Sequence, residues 1–95
     1  MSKYRKKPVV IEAWKAGELL KLAAHDFWEL PDRIRKAYDT AEVVFGAAQI
    51  HINTLEGTMI AEHHDMVLCG VKNELYPCKP DIFAATYEPV EEESS

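Results

Sequence analysis

The stretch that decides most about this chain is Tyr76-Pro77-Cys78-Lys79-Pro80-Asp81-Ile82-Phe83. Its two prolines each fix φ near about −65° and each remove a backbone hydrogen-bond donor. They also bias the residues before them, Tyr76 and Lys79, toward extended geometry. The stretch is therefore predicted to be neither helix interior nor a regular central strand. We interpret it as a rigid elbow that displays Tyr76, Lys79 and Asp81, while Ile82 and Phe83 anchor it in a core.

Upstream of the elbow, the apolar pattern changes from helical to extended. A first strand is predicted from Pro8 to Trp14, a long helix over residues 17–30, and a short second helix from Asp32 to Tyr38. The remaining patterns favour strands at residues 43–45, 49–54, 58–61, 66–71, 74–76 and 84–87, with a hairpin turn at Glu56-Gly57. Residues 66–71 are apolar on both faces, which is typical of a central strand.

The order of these elements predicts the fold class. Helices come early and strands come late, which favours an α+β fold. We expect one long and one short helix packed on a mainly antiparallel sheet of about five or six strands. At 95 residues the chain is expected to form one domain over residues 1–90, with a basic N-terminal arm at its start. The acidic residues 91–95 are expected to form a disordered tail.

Composition narrows the range of partners. The net charge of −5 argues against binding long nucleic acids, whose phosphates require a basic surface. No apolar run approaches the ~18 residues of a membrane span, and no apolar core follows the basic N-terminus as in a signal peptide. These features predict an intracellular protein without a membrane partner. Because so short a chain buries little surface, a homo-oligomer is also expected.

The sequence offers no strong catalytic or metal motif. A metal site could be built from potential ligands in one region, namely His63, His64, Asp65, Cys69 and Cys78. However, the two cysteines do not form the C-x2-C pair that is typical of zinc sites. We therefore favour a solvent-facing loop at 63–65, and two free thiols. A lysine beside Cys78 could activate its thiol, yet no base is identifiable by spacing. The chain is accordingly predicted not to be an enzyme and to use no cofactor.

A binding site is the better-supported expectation. Lys72 and Lys79 flank Tyr76 across the last turn, and Trp14 and His51 lie on predicted strands. Aromatic faces combined with two or three cations suit a planar anionic ligand such as a nucleotide. These five residues are the predicted ligand-binding set. The alternative is that the aromatic residues are half-buried packing residues and the lysines are solvated.

The elbow and its flanks also carry a resemblance. The C-terminal part of the chain resembles the signature of a family of small tailed-phage and prophage proteins. The resemblance covers residues 70–83, Gly-Val-Lys-Asn-Glu-Leu-Tyr-Pro-Cys-Lys-Pro-Asp-Ile-Phe, and residues 86–90. The start, residues 3–13, and the hairpin at 51–57 are similar to the same family. The chain departs from it at His63-His64-Asp65, where relatives often carry Pro-Gly-Asp, and at Asn73, where they often carry glycine. Asparagine tolerates left-handed geometry, so the second change is mild.

The resemblance implies a virus-encoded accessory protein that acts in the cytoplasm of a bacterial host. Many phage proteins of this size counter host defence. Two hypotheses follow: the protein binds and sequesters a small nucleotide-like ligand, or it is a protein–protein inhibitor that docks on a host defence or metabolic factor. The acidic charge and the changed loop at 63–65 motivate the second hypothesis.

Overall fold

The computed structural model describes residues 2–3 and 10–89. Within this part of the chain, strands and helices follow in this order: β1 Glu12–Lys15, α1 Ala16–His25, a 3₁₀ turn Phe27–Glu29, α2 Asp32–Asp39, β2 Val43–Phe45, β3 Gln49–Thr54, β4 Gly57–Glu62, β5 Met66–Cys69, β6 Leu75–Cys78 and α3 Pro80–Thr86. The α+β class is confirmed. None of these helices is long and apolar enough to cross a membrane.

The strands form two antiparallel sheets rather than one. Sheet A has the order β1-β5-β6, and sheet B has the order β2-β3-β4. The expectation of a single sheet was wrong, although six strands are present among the described residues. Sequence-adjacent strands β4 and β5 do not pair with each other, because β5 pairs with β1 on one side and β6 on the other. The strand predicted over residues 66–71 is thus central, as expected, but it ends at Cys69, and Val71 is 68% exposed in the turn that follows.

One hydrophobic cluster joins both sheets to the helices. Its buried members are Ala16, Leu19, Leu30, Ile34, Ala37, Val43, Ile50, Ile52, Ala61, Val67, Cys69 and Leu75. On β3 the side chains alternate as predicted, with Ile50 and Ile52 buried and His51 and Asn53 on the other face. Each fully buried aliphatic side chain stabilises the fold by roughly 1.5–3 kcal/mol. This cluster therefore holds together segments that are distant in sequence.

The predicted helix over residues 17–30 is broken at Asp26. Its φ of −144° lies outside the helical region, although its N–H still donates to the Leu22 carbonyl at 2.8 Å. Leu30 is extended, with φ −58° and ψ 144°, as expected for a residue before proline. The 3₁₀ turn between them keeps Leu30 in the core. The apolar spacing continues through the turn, which is why it resembled one helix.

The proline-rich stretch is a strand followed by a helix, and not a single elbow. Pro77 lies in β6 at the edge of sheet A, where a missing N–H is tolerated. Pro80 occupies the first turn of α3, a favoured position. The predicted strand at 84–87 is wrong, because Ala84 to Thr86 belong to α3. Ile82 is 56% exposed and does not anchor the segment, whereas Phe83 is half-buried.

The first strand is shorter than predicted. It begins at Glu12, and Val10, at 77% exposure, precedes it outside the sheet. Residues 4–9 of the basic arm and the acidic tail at 91–95 lie outside the described residues, so both expectations stay predictions.

Candidate functional site

The five residues predicted to bind a ligand do not form one site. Trp14 pairs with Val67, which in turn pairs with Pro77, whereas Tyr76 pairs with Leu68. Residues paired across antiparallel strands share a face, and successive residues alternate between faces. Trp14 and Tyr76 therefore lie on opposite faces of sheet A and cannot hold the same planar ligand.

The two lysines and the histidine are also separated. Lys72 lies in the turn between β5 and β6, while Lys79 follows the far end of β6. The strand between them spans ~13 Å at about 3.3 Å per residue. His51 lies on sheet B, in a cross-strand row with Val44 and Ile60 on the face away from Ile50 and Ile52. Of the five, Tyr76 alone lines the groove between the β3–β4 hairpin and β6.

That groove lies between the tip of the β3–β4 hairpin and the start of β6. Its volume is about 580 Å³, and its apolar lining comes from Leu55, Met59, Leu75 and Tyr76. Leu55 is fully exposed at the hairpin tip, and Met59 is 44% exposed. The hairpin places them there because Leu55 and Glu56 are its two turn residues, with Thr54 opposite Gly57. The groove thus offers apolar side chains to solvent.

The rim of the groove is acidic. Glu42, Glu56 and Glu74 line it, and none of its described lining residues is lysine or arginine. Burial, followed by interaction with the neighbouring Tyr87 phenol, raises the pKa of Tyr76 to about 12. Its hydroxyl is therefore protonated at neutral pH and can donate a hydrogen bond. This groove favours an apolar ligand with positive charge and disfavours a phosphate.

Arg33 joins Glu42, which lines the groove, to Asn73, the chain neighbour of the lining residue Glu74. Its Nη2 donates to both carboxylate oxygens of Glu42, at 2.9 and 2.8 Å, and to the Asn73 carbonyl at 2.8 Å. Its Nε donates to Asn73 Oδ1 at 2.9 Å. Asn73 has a positive φ of 65°, so the departure from glycine noted above keeps left-handed geometry. The hydrogen bond to Glu42 raises the pKa of Arg33 further.

Asp65 is a buried residue that the sequence reasoning placed in a solvent-facing loop. It is 1% exposed. Its Oδ2 accepts from the Glu62 N–H at 2.9 Å and from Lys79 Nζ at 3.3 Å. His64 Nε2 lies 3.5 Å from its Oδ1. The sequence did carry a local indication of this role, because aspartate commonly hydrogen-bonds backbone groups inside tight turns. Asp65 thereby links the β4–β5 turn to the start of α3.

Cys69 and Cys78 are free thiols, and burial raises the pKa of Cys78, which disfavours its reactive thiolate. Within residues 2–3 and 10–89, no group of three or more potential ligands is placed to hold a metal ion. The most exposed aromatic residue in the described helices is Trp28, at 78%, and it packs edge-on against Phe27 at 5.6 Å.

Trp28 and Phe27 border a smaller cleft of about 230 Å³. Its other lining residues are Asp32, Arg35, Lys36 and Asp39. The sequence reasoning missed this cleft, because Phe27 and Trp28 were assigned to a continuous helix. The two cations stand beside two carboxylates, so the charge of the cleft is balanced.

Comparisons of the chain with protein-family models, with curated proteins and with solved structures find no match. The resemblance to small phage proteins consequently rests on the residues quoted above.

Proposed function

We propose that this protein is a non-catalytic binding module that captures a segment of a partner protein in the acidic groove. The segment would carry an apolar side chain flanked by lysine or arginine. The observation that carries this proposal is the combination of an apolar lining with the carboxylates of Glu56 and Glu74. The third lining carboxylate, Glu42, is already paired with Arg33. Protein interfaces commonly place an apolar anchor at the centre and complementary charge around it.

The size of the groove is suited to such an anchor. Its volume of about 580 Å³ falls within the ~300–1,000 Å³ typical of ligand sites. The side chains of Leu55 and Met59 are exposed to solvent in the monomer, so burying them against a partner would stabilise the complex. The phenol of Tyr76 would donate to a backbone carbonyl of the bound segment. The net charge of −5 would accelerate association with a basic partner.

The resemblance to small tailed-phage proteins supports a host protein as the partner. In that setting the module would act in the bacterial cytoplasm as an inhibitor of a defence or metabolic factor. This is the second of the two hypotheses raised by the sequence. The first, nucleotide sequestration, has no support at the groove, since a phosphate there would face Glu56 and Glu74, and the charge of Arg33 is already paired with Glu42.

Labelled peptides provide the test. A peptide with a central leucine or phenylalanine between lysines is expected to bind, and the same peptide with glutamates in place of the lysines is not. Fluorescence anisotropy measures both, and binding of the basic peptide should weaken as salt rises, because exposed ion pairs are screened. Equal binding of the two peptides would contradict the proposal, as would no binding of either.

Two substitutions locate the binding. Leu55→Ala removes an exposed side chain at little cost to the fold, and should weaken binding several-fold. Glu56→Lys reverses one rim charge and should also weaken it, by a factor consistent with ~0.2–1 kcal/mol per exposed ion pair. Glu29→Lys is the matched control, because Glu29 is equally a surface glutamate and lies away from the groove. A Glu29→Lys effect equal to that of Glu56→Lys would indicate non-specific charge attraction.

A second candidate function keeps a nucleotide ligand but places it at the cleft beside Trp28. The favouring observation is an exposed indole next to Arg35 and Lys36. Stacking on an aromatic ring is worth about 1–3 kcal/mol per base. Thermal-shift screening of linear and cyclic nucleotides tests this, with Trp28→Ala as the control. A flat response of the unmodified protein to every nucleotide would eliminate the candidate.

A further inference from the structure

Over most of its length, the edge of sheet B formed by β4 is not covered by any residue that the structure describes. Gly57 to Ile60 are all exposed, with Met59 and Ile60 at 44% and 46%. Natural edge strands are commonly guarded by lysine, proline or a bulge. The sequence of β4 is Gly-Thr-Met-Ile-Ala-Glu, which contains no lysine and no proline. It therefore presents a strand that can pair with another chain.

The hydrogen bonds at one end of β4 show which backbone groups point outward. The Glu62 N–H donates to Asp65 Oδ2 at 2.9 Å, and the Glu62 carbonyl accepts from the Asp65 N–H at 2.9 Å. Both groups of Glu62 consequently face away from β3. Alternate residues of a strand share this direction, so Thr58 and Ile60 also point their N–H and C=O groups outward. Asp65 therefore occupies the outward backbone groups of Glu62. No described residue outside the sheet bonds to the outward backbone groups of Thr58 and Ile60.

We propose that two copies of the chain pair antiparallel through β4, which joins their two copies of sheet B into one six-stranded sheet. Only one symmetric alignment of the two strands gives a hydrogen-bond partner to the outward N–H and C=O groups of both Thr58 and Ile60 in each copy. It places Thr58 of each copy opposite Ile60 of the other, and Met59 opposite Met59 of the second copy. Because the pairing uses the same segment twice, it is closed and stops at a dimer.

This register also brings the two acidic grooves together. Met59 lies on the same face of the sheet as Ile52, its partner on β3, and it lines the groove. The central Met59 pair would therefore connect the groove of one copy to that of the other. The dimer would present one continuous apolar channel with an acidic rim on each side. The pairing itself does not depend on what the groove binds.

Continued by one residue into the hairpin turn, the same register brings Glu56 of each copy near Glu62 at the end of β4 in the other. Like charges directly opposed across a strand pair are destabilising. The dimer is thus expected to tighten as salt rises, since salt screens this repulsion. Peptide binding at the groove has the opposite salt dependence, so failure of one proposal is distinguishable from failure of the other.

A designed disulfide tests the register. Met59 would occupy a non-hydrogen-bonded pair, in which the two Cα atoms lie ~4.5 Å apart. That separation is compatible with a disulfide. In a Cys78→Ser background, mild oxidation of Met59→Cys should give a covalent dimer on a non-reducing gel. Leu55→Cys, which is more exposed but distant from the two-fold axis, should remain monomeric. Equal cross-linking of the two variants, or none of Met59→Cys, would overturn the proposal.

Analytical ultracentrifugation of the unmodified chain over a concentration series gives the independent measurement. The chain should show a reversible dimer, and Ile60→Lys should abolish it. Val44→Lys is the matched control, because Val44 has the same 46% exposure and lies in the same cross-strand row, but on the opposite edge of sheet B. A Val44→Lys variant that loses the dimer equally, or an unmodified chain that stays monomeric at every concentration, would refute pairing through β4.

Discussion

Replacement of Arg33 by alanine tests the hydrogen bonds that join Glu42 to Asn73 beside the groove. The substitution removes hydrogen bonds to both carboxylate oxygens of Glu42 and to both the carbonyl and the side chain of Asn73. A hydrogen bond to a charged group contributes about 1.5–3 kcal/mol, and breaking a fully buried ion pair costs ~3–5 kcal/mol. The Arg33 and Glu42 side chains are 16% and 29% exposed, so water replaces part of the loss.

From these values we expect Arg33→Ala to lower the free energy of unfolding by roughly 2–3 kcal/mol. For a domain of this size, that corresponds to a fall in Tm of about 10–20 °C. Urea denaturation followed by circular dichroism measures the free energy, and thermal melting measures Tm. Arg33→Lys should recover little of the loss, because an ammonium cannot span Glu42 and Asn73 as the planar guanidinium does.

Arg35→Ala is the matched control on the same helix. Arg35 pairs with Asp32, whose side chain is 83% exposed, so its loss should cost at most about 1 kcal/mol. An Arg33→Ala variant no less stable than Arg35→Ala, or an Arg33→Lys variant as stable as the unmodified chain, would show that the Arg33 hydrogen bonds do not stabilise the fold.

Two further predictions concern close packing and titration. Gly17→Ala, a change that ordinarily favours a helix, should lower Tm, because a Cβ at this position would lie 2.9 Å from the His63 carbonyl oxygen. Gly17→Ala melting at or above the Tm of the unmodified chain would show that the β4–β5 turn yields freely. The pKa of about 12 for Tyr76 lies above its unfolded value of about 10, so the folded chain retains a proton that the unfolded chain has lost. The contribution of Tyr76 to the free energy of unfolding should be complete below about pH 10 and should disappear as the pH rises to 12. Tyr76→Phe should flatten this part of the pH dependence, and an unchanged slope would exclude Tyr76 as its source.

Local patterns predicted most elements but not their partners. The β3–β4 hairpin followed from alternation at Ile50 and Ile52 and from the turn signal at Glu56-Gly57, which are short-range signals, although the turn residues are Leu55 and Glu56, one position earlier. The break of α1 at Asp26 was not visible, because Phe27 and Leu30 keep helical spacing through a 3₁₀ turn. The helix after Pro80 was missed because proline was taken as a barrier to helix, although it is favoured in the first turn.

The candidate site shows the same limit more strongly. Tyr76 was singled out from sequence and does line the groove, but Trp14 and Lys79 were grouped with it by residue type alone. Strand register places Trp14 on the opposite face, and Lys79 lies against the buried Asp65. The charge of the groove comes from Glu56 and Glu74, which are far apart in the chain and carry no local signal.

Sequence patterns were enough to predict the α+β class, a central strand within residues 66–71 and the hairpin, because side-chain periodicity and turn residues act within a few residues. The tertiary structure alone decided that there are two sheets, that Asp65 is buried, and that the groove is acidic. These properties depend on which distant segments meet, and that choice is made by the burial of the shared core rather than by any one segment.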